Sequence, residues 1–237
     1  MKILAIIPAR GRSKGVPGKN IKLLGNKSLL EYTFNSAKES RFLSKIILST
    51  EDAEISSVAQ SMGLEVPFER PANLAQDNSS SIEVVQHAIA FFEERGEKFD
   101  AVCLLQLTSP FRENGFVDKA IQAFIDKNVD ALVSVLKVPH EFNPHWTFEA
   151  NADGLLSIAT GEKEIIKRRQ ELPNAYFRDG SVYITKVDTI KKGSFFGESL
   201  AFIESNPDFY VNIDTMNDWE QAEKMLPQIA PFLSCAE

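Results

Sequence analysis

The sequence predicts an α/β protein built on a doubly wound, mostly parallel sheet. Apolar, β-branched runs alternate with segments of helical spacing along most of the chain. The first run, residues 2–7, is continuous and apolar, which suits a strand buried on both faces of a parallel sheet. Helical segments between such strands imply right-handed crossovers, and these place helices on both faces of the sheet.

Capping and turn residues give the bounds of the later elements. Ser28 with Glu31, and Ser80 with Glu83, have the spacing of capping boxes, and Gly63 is placed to end a helix. The predicted elements are a helix at 28–39, a strand at 45–50, a helix at 52–62, a strand at 64–68, a helix at 80–95, a strand at 101–105, a helix at 113–127, strands at 131–138 and 181–185, strand-like residues near Phe202 and Tyr210, and a helix at 217–225. The chain therefore begins as β-α-β-α-β.

The alternation stops between about residues 139 and 173. Prolines, turn residues and the basic stretch 167–169 replace the helix that the pattern requires. We interpret this segment as an inserted arm of one domain that spans 1–237. Its aromatic residues Phe142, Trp146 and Phe148 predict an arm that docks on a partner subunit of a homodimer.

Composition and charge exclude several classes of protein. A net charge of -7 argues against a nucleic-acid binder, because such proteins need a basic face. The two cysteines, Cys103 and Cys235, are too few for a disulfide framework and fit a reducing compartment. The first apolar run ends at Pro8, too early for a signal peptide or a membrane span. We therefore expect a cytoplasmic protein that binds neither nucleic acid nor membranes.

A loop with four cations and three glycines, residues 8–20, directly follows the first strand. Ligands of open α/β sheets bind at the carboxyl ends of strands, where glycines admit an anion and Arg and Lys supply the opposing charge. The loop predicts a triphosphate site, although a solvated basic turn would have the same composition. Neither G-x-x-x-x-G-K-[ST] nor G-x-G-x-x-G follows the strand, which disfavours a P-loop ATPase and a nicotinamide dehydrogenase.

Five motifs are spread in order along nearly the whole chain. They are Ile7-Pro8-Ala9-Arg10 with Ser13-Lys14-Gly15 and Pro17-x-Lys19-Asn20, Arg70-Pro71-x-x-Leu74-Ala75-x-Asp77, Leu104-Leu105-Gln106-x-Thr108-Ser109-Pro110-x-Arg112, Arg169-Gln170-x-Leu172-Pro173, and Ile213-Asp214-Thr215. Together they resemble the acylneuraminate cytidylyltransferases, the CMP-sialic acid synthetases and their relatives. The resemblance implies a nucleotide-diphospho-sugar transferase-like fold and a homodimer. It also implies transfer from CTP to an acidic keto sugar, with pyrophosphate as the leaving group.

The resemblance also assigns roles to individual residues. The nucleotide-binding set is Arg10, Ser13, Lys14, Lys19, Asn20, Arg70, Ser80 and Ser81, and the catalytic set is Arg10, Lys14, Lys19 and Asp214. The sugar-binding set is Gln106, Arg112, Arg169 and Gln170. Arg169 would pair with the sugar carboxylate, since a guanidinium suits that partner. We expect both Lys14 and Lys19 to be exposed. Ser80 could instead only cap a helix, and Gln106 could only hold a loop.

Magnesium is the expected cofactor. Residues 210–214 have the spacing of a strand, which would point Asn212 and Asp214 to one face. Magnesium takes few carboxylates together with waters and phosphates, so Asp214 is expected to bind it, with Asn212 as a neutral oxygen ligand at most. Asp214 could alternatively only help to cap the next helix. His140 and His145 form a second conceivable metal pair, without a third ligand.

Other functions remain open on the sequence alone. Within the same chemistry, the enzyme could use another nucleotide or activate 3-deoxy-octulosonate. A protein that binds a nucleotide or sugar without catalysis is a further alternative, favoured by Asn212 where some relatives have an acid. The retained Lys14, Lys19 and Asp214 favour an enzyme.

Overall fold

The computed structural model describes residues 1–233, so Cys235 lies outside the described residues. The chain divides into two compact units. The first contains Met1–Ser134 together with the residues from Asp179 onward, and the second contains Val135–Arg178. The predicted arm, 139–173, lies within the second unit. No helix in the described part of the chain is long and apolar enough to cross a membrane.

The strands form one large sheet and two small ones. In chain order they are β1 (Ile3–Pro8), β2 (Leu23–Leu24), β3 (Lys27–Ser28), β4 (Leu43–Ser49), β5 (Ala101–Leu104), β6 (Ala131–Lys137), β7 (Phe148–Ala150), β8 (Leu156–Ile158), β9 (Tyr176–Lys186) and β10 (Leu200–Glu204). The large sheet has the order β10-β6-β9-β5-β1-β4. Strand β1 pairs in parallel with β4 and β5, while β9 runs antiparallel to β5. The predicted α/β class with a mostly parallel sheet is confirmed.

Helices follow the strands as the alternation predicts. They are α1 (Leu29–Lys38), α2 (Ala53–Ser61), α3 (Ser81–Glu93), α4 (Phe116–Lys127), α5 (Val187–Lys191) and α6 (Met216–Ile229). The capping box of Ser80 and Glu83 is confirmed at α3. Ser28 caps α1 by accepting a hydrogen bond from the Glu31 amide. Helix α4 begins later than predicted, because Gly115 precedes it with a left-handed φ of 73°.

Strand β1 is the centre of the core. Its residues from Ile3 to Ile7 are at most 1% exposed, which confirms a strand covered on both faces. Its partners in the sheet, β4 and β5, end on the same side because they run parallel to it. The loop after β1 therefore lies beside the carboxyl ends of two further strands, where α/β proteins bind their ligands.

Two predicted strands are wrong. Residues 64–68 make only one isolated bridge, between Glu65 and Ile47 of β4, and a second isolated bridge joins Glu69 to Thr50 just after β4. Residues 210–214 are extended but form no strand, and their backbone is tied by a hydrogen bond from Ile213 N to Thr108 O at 2.8 Å. Val211 and Ile213 are buried between polar neighbours. The alternation of apolar and polar residues at 210–214 therefore reflects packing of Val211 and Ile213 on the core, not pairing in a sheet.

The second unit contains an antiparallel hairpin, in which β7 pairs with β8. Phe142 and Phe148 are 68% and 50% exposed, whereas Trp146 is partly buried and donates from Nε1 to Ile166 O at 2.7 Å. Among residues 1–233 no three or more His, Cys, Asp or Glu side chains group as a metal site.

Candidate active site

A cavity of about 380 Å³ opens beside the loop that follows β1. Nine of the predicted site residues line it, namely Arg10, Ser13, Lys14, Lys19, Asn20, Arg70, Ser81, Gln106 and Asp214. Four of the lining side chains are cations, and the two acidic ones are Asp77 and Asp214. A cavity with excess positive charge in a protein of net charge -7 suits a polyanionic ligand.

Glu51 and Arg70 clamp the start of the glycine-rich loop. Gly11 N donates to Oε1 of Glu51 at 2.8 Å, and Nη2 of Arg70 donates to Oε2 of Glu51 at 2.6 Å and to Ala9 O at 2.5 Å. A Cβ on Gly11 would lie 2.1 Å from Oδ2 of Asp52, so the loop needs glycine here. The clamp fixes the backbone on which the phosphate-binding side chains stand.

Arg70 has a buried donor without a partner. Its side chain is 4% exposed, yet it borders the cavity. The Nε atom is buried and has no hydrogen-bond partner in the described part of the chain. A buried unpaired donor is costly, so the guanidinium keeps hydrogen-bonding capacity that the described residues do not use. The predicted nucleotide role of Arg70 rests on its place in the cavity wall.

Lys19 is held more firmly than the sequence suggests. Its side chain is 12% exposed, so the expectation of an exposed lysine is wrong for Lys19, while Lys14 is 80% exposed. Nζ of Lys19 donates to Ile213 O at 2.6 Å and to Oδ1 of Asp214 at 3.0 Å. Gly15 packs on the same segment, where a Cβ would lie 1.9 Å from Asp214 O. The segment at 213–214 thus anchors the far end of the loop.

Asn20 is buried and holds the loop from within. Its Nδ2 atom donates to Arg10 O at 2.9 Å, and its side chain also borders the cavity.

Arg10 itself directs Nη1 to Oδ1 of Asp77 at 2.9 Å, and Lys14 pairs with the second oxygen of the same carboxylate. The hydrogen bond from Lys14 lowers the pKa of Asp77 below its ordinary value, so Asp77 is ionised at neutral pH.

Ser80 and Ser81 have different surroundings. Ser80 accepts the Glu83 amide hydrogen bond of the α3 capping box and does not border the cavity, whereas Ser81 does. Gln106 also borders the cavity, and a Cβ on Gly180 would lie 3.2 Å from its Oε1 atom. Gly180 has φ +83°, so glycine permits both this left-handed backbone conformation within β9 and the close approach to Gln106.

Arg112 lies in the interior and does not border this cavity. Its side chain is 2% exposed, and Nη2 donates to Ser181 O at 2.8 Å and to Gln106 O at 3.0 Å. Nε donates to Ser181 O at 3.0 Å. Burial lowers the pKa of Arg112 to about 10, partly offset by the charge of Asp179, so the guanidinium remains charged at neutral pH. The structure gives Arg112 a role in holding backbone, not the predicted contact with the sugar.

Asn212 and Asp214 meet although their segment is not a strand. Nδ2 of Asn212 donates to Oδ2 of Asp214 at 2.7 Å, and only Asp214 borders the cavity. Thr215 and Asp218 form the α6 capping box with each other, so Asp214 is not the capping side chain. One carboxylate at the cavity with a neighbouring amide fits magnesium that takes its other ligands from phosphate and water.

Arg169 and Gln170 belong to the second unit. Arg169 borders a pocket of about 370 Å³ that also contains Lys137 and His140. Two cations and an imidazole in one pocket suit a small anion such as a carboxylate. His145 does not join them, since its Nδ1 atom lies 2.7 Å from Oε1 of Glu162.

Two acidic residues with structural contacts to the site were missed by sequence reasoning. Glu51 follows the end of β4 almost at once, so the rule that sites form at strand ends could have found it. Asp77 ends the motif that begins at Arg70, but an acidic residue does not by its type indicate a phosphate-binding site. Its pairing with Arg10 and Lys14 depends on the folded chain.

Comparison with known proteins shows the family of the chain. A sequence model of a family described as Cytidylyltransferase matches residues 4–225. The CMP-N,N'-diacetyllegionaminic acid synthase of Legionella pneumophila is 33% identical over 228 residues, which are 95% of this chain and 97% of that protein. The N-acylneuraminate cytidylyltransferase of Escherichia coli O18:K1:H7 is 30% identical over 223 residues, 93% of this chain and 51% of that protein.

A solved structure shares the fold. The CMP:2-keto-3-deoxy-manno-octonic acid synthetase complexed with CTP matches with a TM-score of 0.70 and 17% sequence identity. The match covers 96% of this chain and 99% of that one. At this identity the likeness supports the architecture alone.

Proposed function

We propose, since the chain belongs to the cytidylyltransferase family, that it transfers a cytidylyl group from CTP to an acidic nonulosonic sugar. The observation that carries the proposal is the cavity at the end of β1, where four cations face a space of about 380 Å³. The legionaminic and acylneuraminic acids of the named relatives give the class of sugar.

The transfer needs alignment and charge neutralisation more than covalent help from the protein. The anomeric hydroxyl oxygen of the sugar bonds to the α-phosphorus of CTP and loses its proton. The bond from that phosphorus to the bridging oxygen breaks, and pyrophosphate leaves with the electron pair. Arg10, Lys14 and Lys19 would neutralise the phosphate charges, and Arg70 would contribute to nucleotide binding from the cavity wall.

Magnesium fits the donors at the cavity edge. We assign it to Asp214, with Asn212 as a neutral neighbour, and bound there it would neutralise phosphate charge. Lys19 already donates to one oxygen of Asp214, so this lysine would hold the carboxylate in place. A single carboxylate suffices because the triphosphate supplies further oxygens.

The second unit would serve both the sugar and a second copy of the chain. We assign the sugar carboxylate to Arg169 with help from Gln170. Large apolar side chains are exposed on this unit: Phe142, Phe148, Leu155, Leu156 and Ile165. Exposed apolar surface of this kind is typical of interaction sites, so we propose a homodimer in which the second copy covers it. The cytoplasm is the proposed location.

A pyrophosphate-release assay tests the function. The four ribonucleoside triphosphates are each combined with nine-carbon and eight-carbon keto acids and with a neutral hexose phosphate. We expect release only with CTP and a nine-carbon acid. Release with neutral hexose phosphates and with none of the keto acids would contradict the proposal. Strict preference for the eight-carbon acid would move the protein to the octulosonate branch of the same chemistry.

A further inference from the structure

Asp77 neutralises two cations of the cavity. Its Oδ1 atom accepts a hydrogen bond from Nη1 of Arg10 at 2.9 Å, and its other carboxylate oxygen pairs with Nζ of Lys14. These are two of the cations that the proposed function gives to the triphosphate. A phosphate group and the Asp77 carboxylate therefore need the same donors, and both cannot be fully bound at once.

The two ion pairs are open to water. The side chains of Arg10, Lys14 and Asp77 are 40%, 80% and 52% exposed. Asp77 and Lys14 also border a second cavity of about 510 Å³. Exposed ion pairs contribute little to stability, because water solvates the separated charges well. A phosphate can therefore displace Asp77 from its partners at small cost.

Competition from the Asp77 carboxylate weakens the binding of CTP and of pyrophosphate to different extents. CTP is held through its base and ribose as well as its phosphates. Pyrophosphate keeps only the contacts of its phosphate oxygens once its bond to the α-phosphorus is broken. Competition for two cations thus removes a larger share of the binding free energy of pyrophosphate than of CTP.

We propose that Asp77 competes with pyrophosphate for Arg10 and Lys14 and so weakens its binding as a product. The proposal rests on the function given above, because pyrophosphate is the product of that reaction. Asp77 touches no reacting atom and is a positioning residue that acts through the two cations. Its effect has an unusual sign: removal of this acid strengthens product binding, whereas loss of a residue that only supports the fold weakens it.

Isothermal titration of inorganic pyrophosphate into the full chain measures this effect without turnover. We expect Asp77→Asn to lower the Kd for pyrophosphate about tenfold, the size expected when two exposed ion pairs no longer compete. Inhibition of cytidylyl transfer by pyrophosphate should strengthen by a similar factor. Asp77→Glu keeps a carboxylate and should bind pyrophosphate like the unaltered chain.

Asp208→Asn is the matched control, because it removes an exposed carboxylate that does not border the cavity. It should leave the Kd unchanged and so exclude a general effect of net charge. An unchanged or higher Kd in Asp77→Asn would overturn the proposal. Failure of the sugar assignment is distinguishable, since the titration needs no sugar and would still report the competition.

Discussion

Glu51→Gln should weaken CTP binding although Glu51 does not border the nucleotide cavity. The carboxylate holds the loop after β1 at one point through Gly11 N, at 2.8 Å, and at another through Arg70, at 2.6 Å. The Glu51 and Arg70 side chains are 20% and 4% exposed, so water screens this ion pair only partly. Glutamine has nearly the same shape, but its amide nitrogen cannot accept either hydrogen bond.

The expected size follows from these contacts. Glu51→Gln loses one of two hydrogen bonds and the charge, and a hydrogen bond to a charged group contributes about 1.5–3 kcal/mol. Arg70 keeps its bond to Ala9 O, which limits the loss. We expect a fall of about 2 kcal/mol in the free energy of unfolding. The KM for CTP should rise about tenfold, equivalent to about 1.4 kcal/mol, because the loop must be ordered on binding.

Urea unfolding and steady-state pyrophosphate release measure the two effects. Glu69→Gln is the control, since Glu69 is an exposed acid that bridges Thr50 just after β4 and does not border the nucleotide cavity. It should change neither quantity. The KM for the sugar should stay within about twofold in Glu51→Gln. If the free energy of unfolding falls while the KM for CTP stays within about twofold, the clamp supports the fold alone and the reasoning is refuted.

Three further changes test the remaining assignments. Arg112→Met should lower the free energy of unfolding by about 3–5 kcal/mol in urea, because it leaves buried carbonyls without their donor and removes the cation that interacts with the charge of Asp179; a stable variant with a raised KM for the sugar would restore the sequence-based role. Asp214→Asn should abolish magnesium-dependent turnover with little change in Tm, and full activity at ordinary magnesium concentrations would remove the metal role. Sedimentation at assay concentrations should give a dimer, and Phe142→Ser with Leu156→Ser should shift it to monomer; a chain that is already monomeric would contradict the arm interface.

Local patterns predicted the parts of the fold that depend on neighbours in sequence. Ser80 with Glu83 predicted the start of α3 because both partners of a capping box lie within one helical turn. The loop at 8–20 was recognised because it follows a buried strand and carries its own charge. Five of the nine predicted residues that border the cavity lie in this loop.

The errors concern contacts between residues far apart in sequence. Arg112 belongs to a motif and has the side chain that suits a carboxylate, yet its main acceptor, Ser181 O, is 69 residues away. Lys19 was expected in solvent, but its acceptor Asp214 is 195 residues away. Residue type gives the chemistry a side chain can perform, and only the fold decides whether it faces a ligand or the backbone.

The same long-range contacts explain how the site remains ordered before a nucleotide binds. Several cations in one small cavity repel one another, and each has an acceptor within the chain: Asp77 for Arg10 and Lys14, Asp214 for Lys19, and Glu51 for Arg70. Binding of a triphosphate is then an exchange of acceptors and not the filling of an uncompensated positive site. Exchange lowers the net gain from each phosphate contact but keeps the donors oriented, and orientation is the main contribution that this chemistry needs from the protein. The same exchange runs in reverse after the reaction. The carboxylates remain attached to the chain and regain the cations, while pyrophosphate diffuses away.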